Sequence, residues 1–95
     1  MIKYDVTFEK KGEMIYISHL DLMLMFRRAI RRAGVPFVLT KGFSPRVKIS
    51  IPKALKLGVE SDAEEMSLWL TREVSRDTVI EMINSELPKG VRLIG

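Results

Sequence analysis

Strand, helix, strand, strand, helix, strand is the element order that the sequence predicts, an α+β fold of the ferredoxin-like split β-α-β type. Three observations predict it. The chain opens on strict period-two alternation of apolar and polar residues. Two later stretches carry apolar residues at helical spacing behind good N-cap residues. Extended runs then follow each of those helices instead of gathering in one block. In such a fold two helices cover one face of an antiparallel sheet, and the other face is left for solvent, a ligand or another domain.

The elements follow in order. Ile2, Tyr4, Val6 and Phe8 alternate with Lys3, Asp5, Thr7 and Glu9, the pattern of a half-buried strand that Lys11-Gly12 breaks. Met14 to Ile17 is apolar and leads into a helix start. Ser18 is a good N-cap, Asp21 completes a pattern like a capping box, and Ile17 with Leu22 is placed to close a hydrophobic staple. The helix runs to Ala33 with Gly34 as its stop. Leu22, Met25, Phe26, Ala29 and Ala33 form its apolar stripe. Arg27 and Arg31 make one i,i+4 row on it, and Arg28 and Arg32 make another.

After Pro36 the sequence predicts a short extended piece, Phe37 to Leu39, a loop over Lys41 to Pro45, and a strand from Arg46 to Ile51 with Val47, Ile49 and Ile51 inward. Leu55 to Ala63 reads as a connecting loop. A third strand is predicted around Glu65 to Thr71, with Leu68 and Leu70 toward the helices and Trp69 away from them. Ser75 caps a second helix with Val74 and Val79 as its staple. Val79, Ile80, Ile83 and Leu87 line its buried side, Pro88-Lys89-Gly90 stops it, and Val91 to Ile94 is the last strand.

At 95 residues the chain is one small domain, residues 1–95, with no internal repeat or low-complexity segment. With no cysteine it can form no disulfide, no thiolate zinc site and no cysteine-held iron–sulfur cluster. No apolar run approaches the ~20 residues of a membrane span, and the first residues do not resemble a signal peptide. A cytoplasmic setting, no membrane contact and no cofactor in this chain are therefore expected. The net charge is +4, and its basic excess lies in the first 50 residues, which points to an anionic partner.

The candidates for chemistry are few. One histidine, His19, cannot build a histidine metal site or an acid–base pair, and beside Ser18 it reads as a surface or capping residue. No catalytic residues and no metal ligands are assigned. Arg27, Arg28, Arg31 and Arg32 suit the negative end of a helix dipole, yet their guanidinium forks also suit phosphate. Lys41, Arg46 and Lys48 extend that basic character along the following loop and strand. Phe43 is expected to pack into the core at the sheet edge, with stacking on a base as its functional alternative. Trp69, alone on the open sheet face, is expected to dock a second domain or a second copy of the chain. The first strand offers no matching aromatic, so an RNA-recognition-motif mode is not expected.

The runs Ser18-His19-Leu20-Asp21, Arg28-Ala29, Arg31-Arg32-Ala33-Gly34-Val35-Pro36 and Gly42-Phe43-Ser44-Pro45 resemble the radical SAM-linked domain family of bacteria. Leu57-Gly58-Val59-Glu60-Ser61 and Glu65 also fit that pattern. The family's domain is fused to, or encoded beside, a radical S-adenosylmethionine (SAM) protein. The resemblance implies a bacterial cytosolic setting and a radical SAM partner, but no particular reaction. It also implies that the chain is the first half of a longer two-part region. Family loops often read Gly-Phe-Asn-Pro-His-Pro. Here Arg46 and Val47 occupy the last two places, which removes a histidine role and keeps a basic one.

These readings together predict a non-catalytic accessory module linked to a radical SAM protein. It binds RNA or another polyanion through Arg27, Arg28, Arg31, Arg32, Lys41, Phe43, Arg46 and Lys48. The alternative is a docking domain that uses the open face around Trp69 and touches no nucleic acid. An independent enzyme acting through His19 is the least favoured reading.

Overall fold

The computed structural model describes residues 1–95. It contains strand β1 (Ile2–Lys10), a 3-10 turn (Gly12–Tyr16), helix α1 (His19–Ala33), strand β2 (Ile49–Ser50), strand β3 (Ser61–Leu70), helix α2 (Arg76–Asn84) and strand β4 (Val91–Leu93). The sheet order is β2-β3-β1-β4 and every pairing is antiparallel. Each β-α-β unit thus brackets the first strand of the other unit, which is the split arrangement the sequence predicts.

Local chemistry sets the ends of the helices. Ser18 lies in extended backbone and its Oγ accepts the Asp21 N–H at 3.1 Å, while Gly34 takes the left-handed φ of 81° that closes α1. Ser75 does the same for α2, accepting from the Thr78 N–H. Leu87 falls beyond the end of α2 and packs from the following turn.

The core lies between the sheet and the helices. Tyr4, Val6 and Phe8 of β1, Met66, Leu68 and Leu70 of β3, and Val91 and Leu93 of β4 meet Leu22, Phe26 and Ile30 of α1 and Val79 and Ile83 of α2. Ile30 joins the stripe that the spacing predicts, while Met25 and Ala33 sit at its margin. Two side chains tie connections to strands. The Tyr4 hydroxyl donates to the Val74 carbonyl at 2.6 Å and accepts the Val74 N–H at 2.8 Å. The Asn84 amide pairs with both backbone groups of Leu93 at 2.9 and 2.8 Å, which covers part of the β4 edge.

Four local expectations change. Ile2 is exposed, and the inward set of β1 ends instead on Lys10, which is 1% exposed with its Nζ donating to the Lys56 carbonyl at 3.1 Å. A bulge between Phe8 and Lys10 accompanies this. The 3-10 turn stands where the sequence shows only an apolar lead-in. β3 begins at Ser61, within the segment expected to be a loop, because its first residues pair with the far end of β1.

The second strand differs most. Phe37 bridges Leu70, and Ile49 pairs with Leu68, so both belong to one edge strand along β3. Between them the chain leaves the sheet as a hairpin. Leu39 bridges Val47, the Thr40 N–H donates to the Arg46 carbonyl at 2.8 Å, and the Lys48 N–H donates to the Val38 carbonyl at 2.7 Å. The predicted extended piece and the start of the predicted strand are therefore the two arms of an inserted hairpin, with Lys41–Pro45 at its tip.

Gly90 carries a steric prediction. Its φ is 101°, and a Cβ there would lie 2.6 Å from the Lys11 carbonyl oxygen and 2.7 Å from Met14 Cγ. Gly90→Ala is expected to cost about 2–3 kcal/mol, from left-handed strain and overpacking together. Gly12→Ala, at a φ of 62° with nothing within 4 Å, isolates the strain alone. Urea denaturation of both variants checks this, and equal losses would contradict the packing component.

Candidate nucleic-acid interface

The hairpin is held against α1. Arg27 Nε donates to the Val47 carbonyl at 3.2 Å, which fastens the second arm of the hairpin to the helix. Burial, and after it the charge of Arg46, push the Arg27 guanidinium below its ordinary pKa. Arg46 directly precedes Val47, so the arm that Arg27 grips carries a second arginine, and neither is paired with a carboxylate. On the same row of α1, Arg31 lies over the Phe37 ring at 5.3 Å, at the base of the first arm. An exposed cation–π contact of this kind contributes about 0.5–1 kcal/mol.

The other arginine row points elsewhere. Arg28 and Arg32 line an open cleft of about 530 Å³ between α1 and the end of α2, together with Asp21 and Glu86. Arg32 is paired there, with its Nε 3.9 Å from the Glu86 carboxylate. The four arginines thus divide into an Arg27/Arg31 row beside the hairpin and an Arg28/Arg32 row in a cleft of mixed charge.

At the tip, Phe43 is fully exposed, with a relative accessibility of 109%. The expected core packing is overturned. The inserted hairpin carries residues 41–45 off the sheet, so the ring has no edge to plug. Lys41 and Arg46 are exposed beside it. Lys48, at the base of the second arm, turns to the open sheet face with its Nζ 4.8 Å from the centre of the Trp69 ring. Lys3 approaches the same ring at 5.8 Å.

The candidate cations other than Arg32 lie apart from acidic side chains. No carboxylate lies within 4.0 Å of Arg27, Arg28, Arg31, Lys41, Arg46 or Lys48, whereas Lys3, Lys11 and Arg32 are all paired. The sequence carries a matching signal. Between Asp21 and Glu60 there is no Asp or Glu at all, while Arg27, Arg28, Arg31, Arg32, Lys41, Arg46, Lys48, Lys53 and Lys56 all fall there. Lys53 and Lys56 thus belong to the same acid-free segment, although the motif reading did not single them out.

The open sheet face is polar. Asp5 accepts from the Ser67 hydroxyl at 2.6 Å, and that hydrogen bond, followed by the charges of Lys3 and Arg76, holds its carboxyl below the ordinary range. His19 is half-buried, with Nδ1 sequestered from solvent and lacking a hydrogen-bond partner. No three His, Cys, Asp or Glu side chains converge as a metal site would require. No helix is long and apolar enough to cross a membrane.

A protein-family model matches residues 3–95, and its description reads "uncharacterized protein conserved in bacteria (DUF2344)". The chain belongs to this family. The match spans the elements from β1 through β4, and the hairpin falls within its bounds. No curated protein and no solved structure matches the chain.

Proposed function

We propose that this DUF2344 domain is a non-catalytic module that binds RNA through the inserted hairpin and the adjoining face of α1. One observation carries the reading: the acid-free segment between Asp21 and Glu60 folds so that Arg27, bonded to the Val47 carbonyl, and Arg31, over the Phe37 ring, adjoin a hairpin that exposes Lys41 and Arg46. Like charges kept close without a carboxylate destabilise a fold slightly, and a polyanion relieves them. Guanidinium groups and exposed ammonium groups meet phosphate oxygens through charge-assisted hydrogen bonds. Phe43 at the tip supplies an aromatic face for an unpaired base.

The sequence resemblance extends the proposal to a role. The domain presents RNA to a radical SAM partner, which supplies the reaction that these residues do not carry out, in the cytoplasm. Docking of a protein through Trp69 has less support, because Lys3 and Lys48 flank the indole and the next pair along the two strands is the polar Asp5–Ser67, so no apolar patch forms there.

Salt dependence tests the proposal. For single strands the logarithm of affinity falls with the logarithm of salt at about −0.7 per phosphate neutralised, so about five contacts give roughly 100-fold weakening between about 50 and 200 mM salt. Fluorescence anisotropy with a labelled bacterial RNA pool is expected to show this. Absence of binding at low salt would sink the reading.

A further inference from the structure

We infer that the RNA this domain takes is single-stranded, and that Trp69 is the platform on which one of its bases stacks. The inference rests on the RNA-binding reading above and names the ligand more closely.

The indole is continuous with the basic hairpin. The Trp69 carbonyl accepts the Val38 N–H at 3.1 Å, and the Val38 carbonyl accepts the Lys48 N–H at 2.7 Å. The first arm of the hairpin is therefore bonded to the backbone of Trp69, and the second arm is joined to it through Val38. A strand laid along the hairpin from Phe43 past Arg46 and Lys48 arrives at the indole without crossing an acidic residue.

The ring is half-buried on the sheet, and the flexible ammonium groups of Lys48 and Lys3 lie 4.8 and 5.8 Å from its centre. Stacking of a base on an aromatic ring is stronger than an exposed cation–π contact. An incoming base displaces the ammonium groups, and each is then free to meet a flanking phosphate. Beyond the ring stands the ionised Asp5, tied to Ser67, which repels a phosphate backbone and sets the far limit of the track.

A duplex cannot use this surface. Its bases are stacked inside, and a flat sheet face meets only backbone and grooves. An unpaired strand turns its bases outward to such a face. One stacking position and no built hydrogen-bonding pocket around it give preference for single strands with little choice among bases.

Trp69 is the only tryptophan, so its fluorescence reports on its own surroundings. The probes are a ~12-nucleotide oligouridine and an RNA duplex of equal length, a size within the range of about 4–16 nucleotides for compact single-strand sites. Oligouridine is expected to quench the emission in step with binding, and the duplex to leave it unchanged. Trp69→Ala is expected to weaken oligouridine binding about tenfold without altering the salt slope, and Trp69→Phe to restore most of it. Circular dichroism checks that each variant is folded.

Unchanged oligouridine affinity in a folded Trp69→Ala protein overturns the inference, as does a duplex that binds and quenches equally well. Loss of self-association in that variant with oligouridine affinity intact also overturns it, in favour of protein docking. In each of these cases dependence on Lys41 and Arg46 would still uphold the RNA-binding reading. Failure of both probes to bind at low salt removes that reading and the inference together.

Discussion

Phe26→Ala is expected to remove a large share of the stability of this domain. Phe26 is wholly inaccessible and meets Phe8 edge-to-face, with ring centres 5.0 Å apart. The pair joins α1 to the middle of the sheet. Truncating a buried phenylalanine costs about 3–5 kcal/mol through lost transfer energy and the cavity left behind. A chain of this length has only about 5–14 kcal/mol in hand. The urea midpoint should therefore fall by more than about 1 M, since a small domain loses at most about 3 kcal/mol per molar of urea. Leu20→Ala, on the exposed side of the same helix, controls for helix propensity and should change stability by no more than about 0.5 kcal/mol. Similar losses at the two positions would contradict the placement of the core.

The ends of α1 were legible in the sequence because their determinants are local. Ser18 caps with its own side chain, and Gly34 adopts a backbone angle that other residues resist. The alternation of β1 was legible for the same reason, except at its end. Parity puts Lys10 inward, but its side-chain type argues against burial, and only the Lys56 carbonyl supplied by a distant loop resolves the conflict. The edge strand was least legible. Arg46 to Ile51 alternates as a strand does, yet its first residues pair with Val38–Thr40 and only its later ones with β3. Which partner wins depends on long-range contacts such as Arg27 with Val47, and periodicity carries no record of those.

The candidate site divides in the same way. Two arginine rows follow from helical spacing alone, but which row meets the hairpin is a tertiary matter. Arg27 and Arg31 do, while Arg28 and Arg32 line the cleft beside α2. Phe43 defeats the sequence reading because an aromatic beside a strand is more often buried than displayed. The absence of acids between Asp21 and Glu60 was visible in the sequence, and it marks the basic edge more directly than any single motif does.

Lys41→Glu combined with Arg46→Glu is expected to separate binding from stability. Both residues are exposed and neither has a carboxylate partner, so no folded-state pairing is lost. The carboxylate introduced at position 46 would stand near Arg27 in place of a like charge, which relieves the repulsion now felt there. The melting temperature should therefore hold steady or rise slightly. RNA affinity should fall by at least about 100-fold, since two charge-assisted contacts of about 1.5 kcal/mol or more are lost and repulsion is added. The salt slope should shrink by about 1.4, at about 0.7 per contact. Anisotropy titrations at several salt concentrations, beside thermal melts, measure both quantities on one preparation. Equal losses of stability and binding would mean that the hairpin cations serve the fold. A more stable protein that has lost RNA would instead show that the fold carries the repulsion between Arg27 and Arg46 for the sake of its ligand, as functional sites commonly do at some expense to stability.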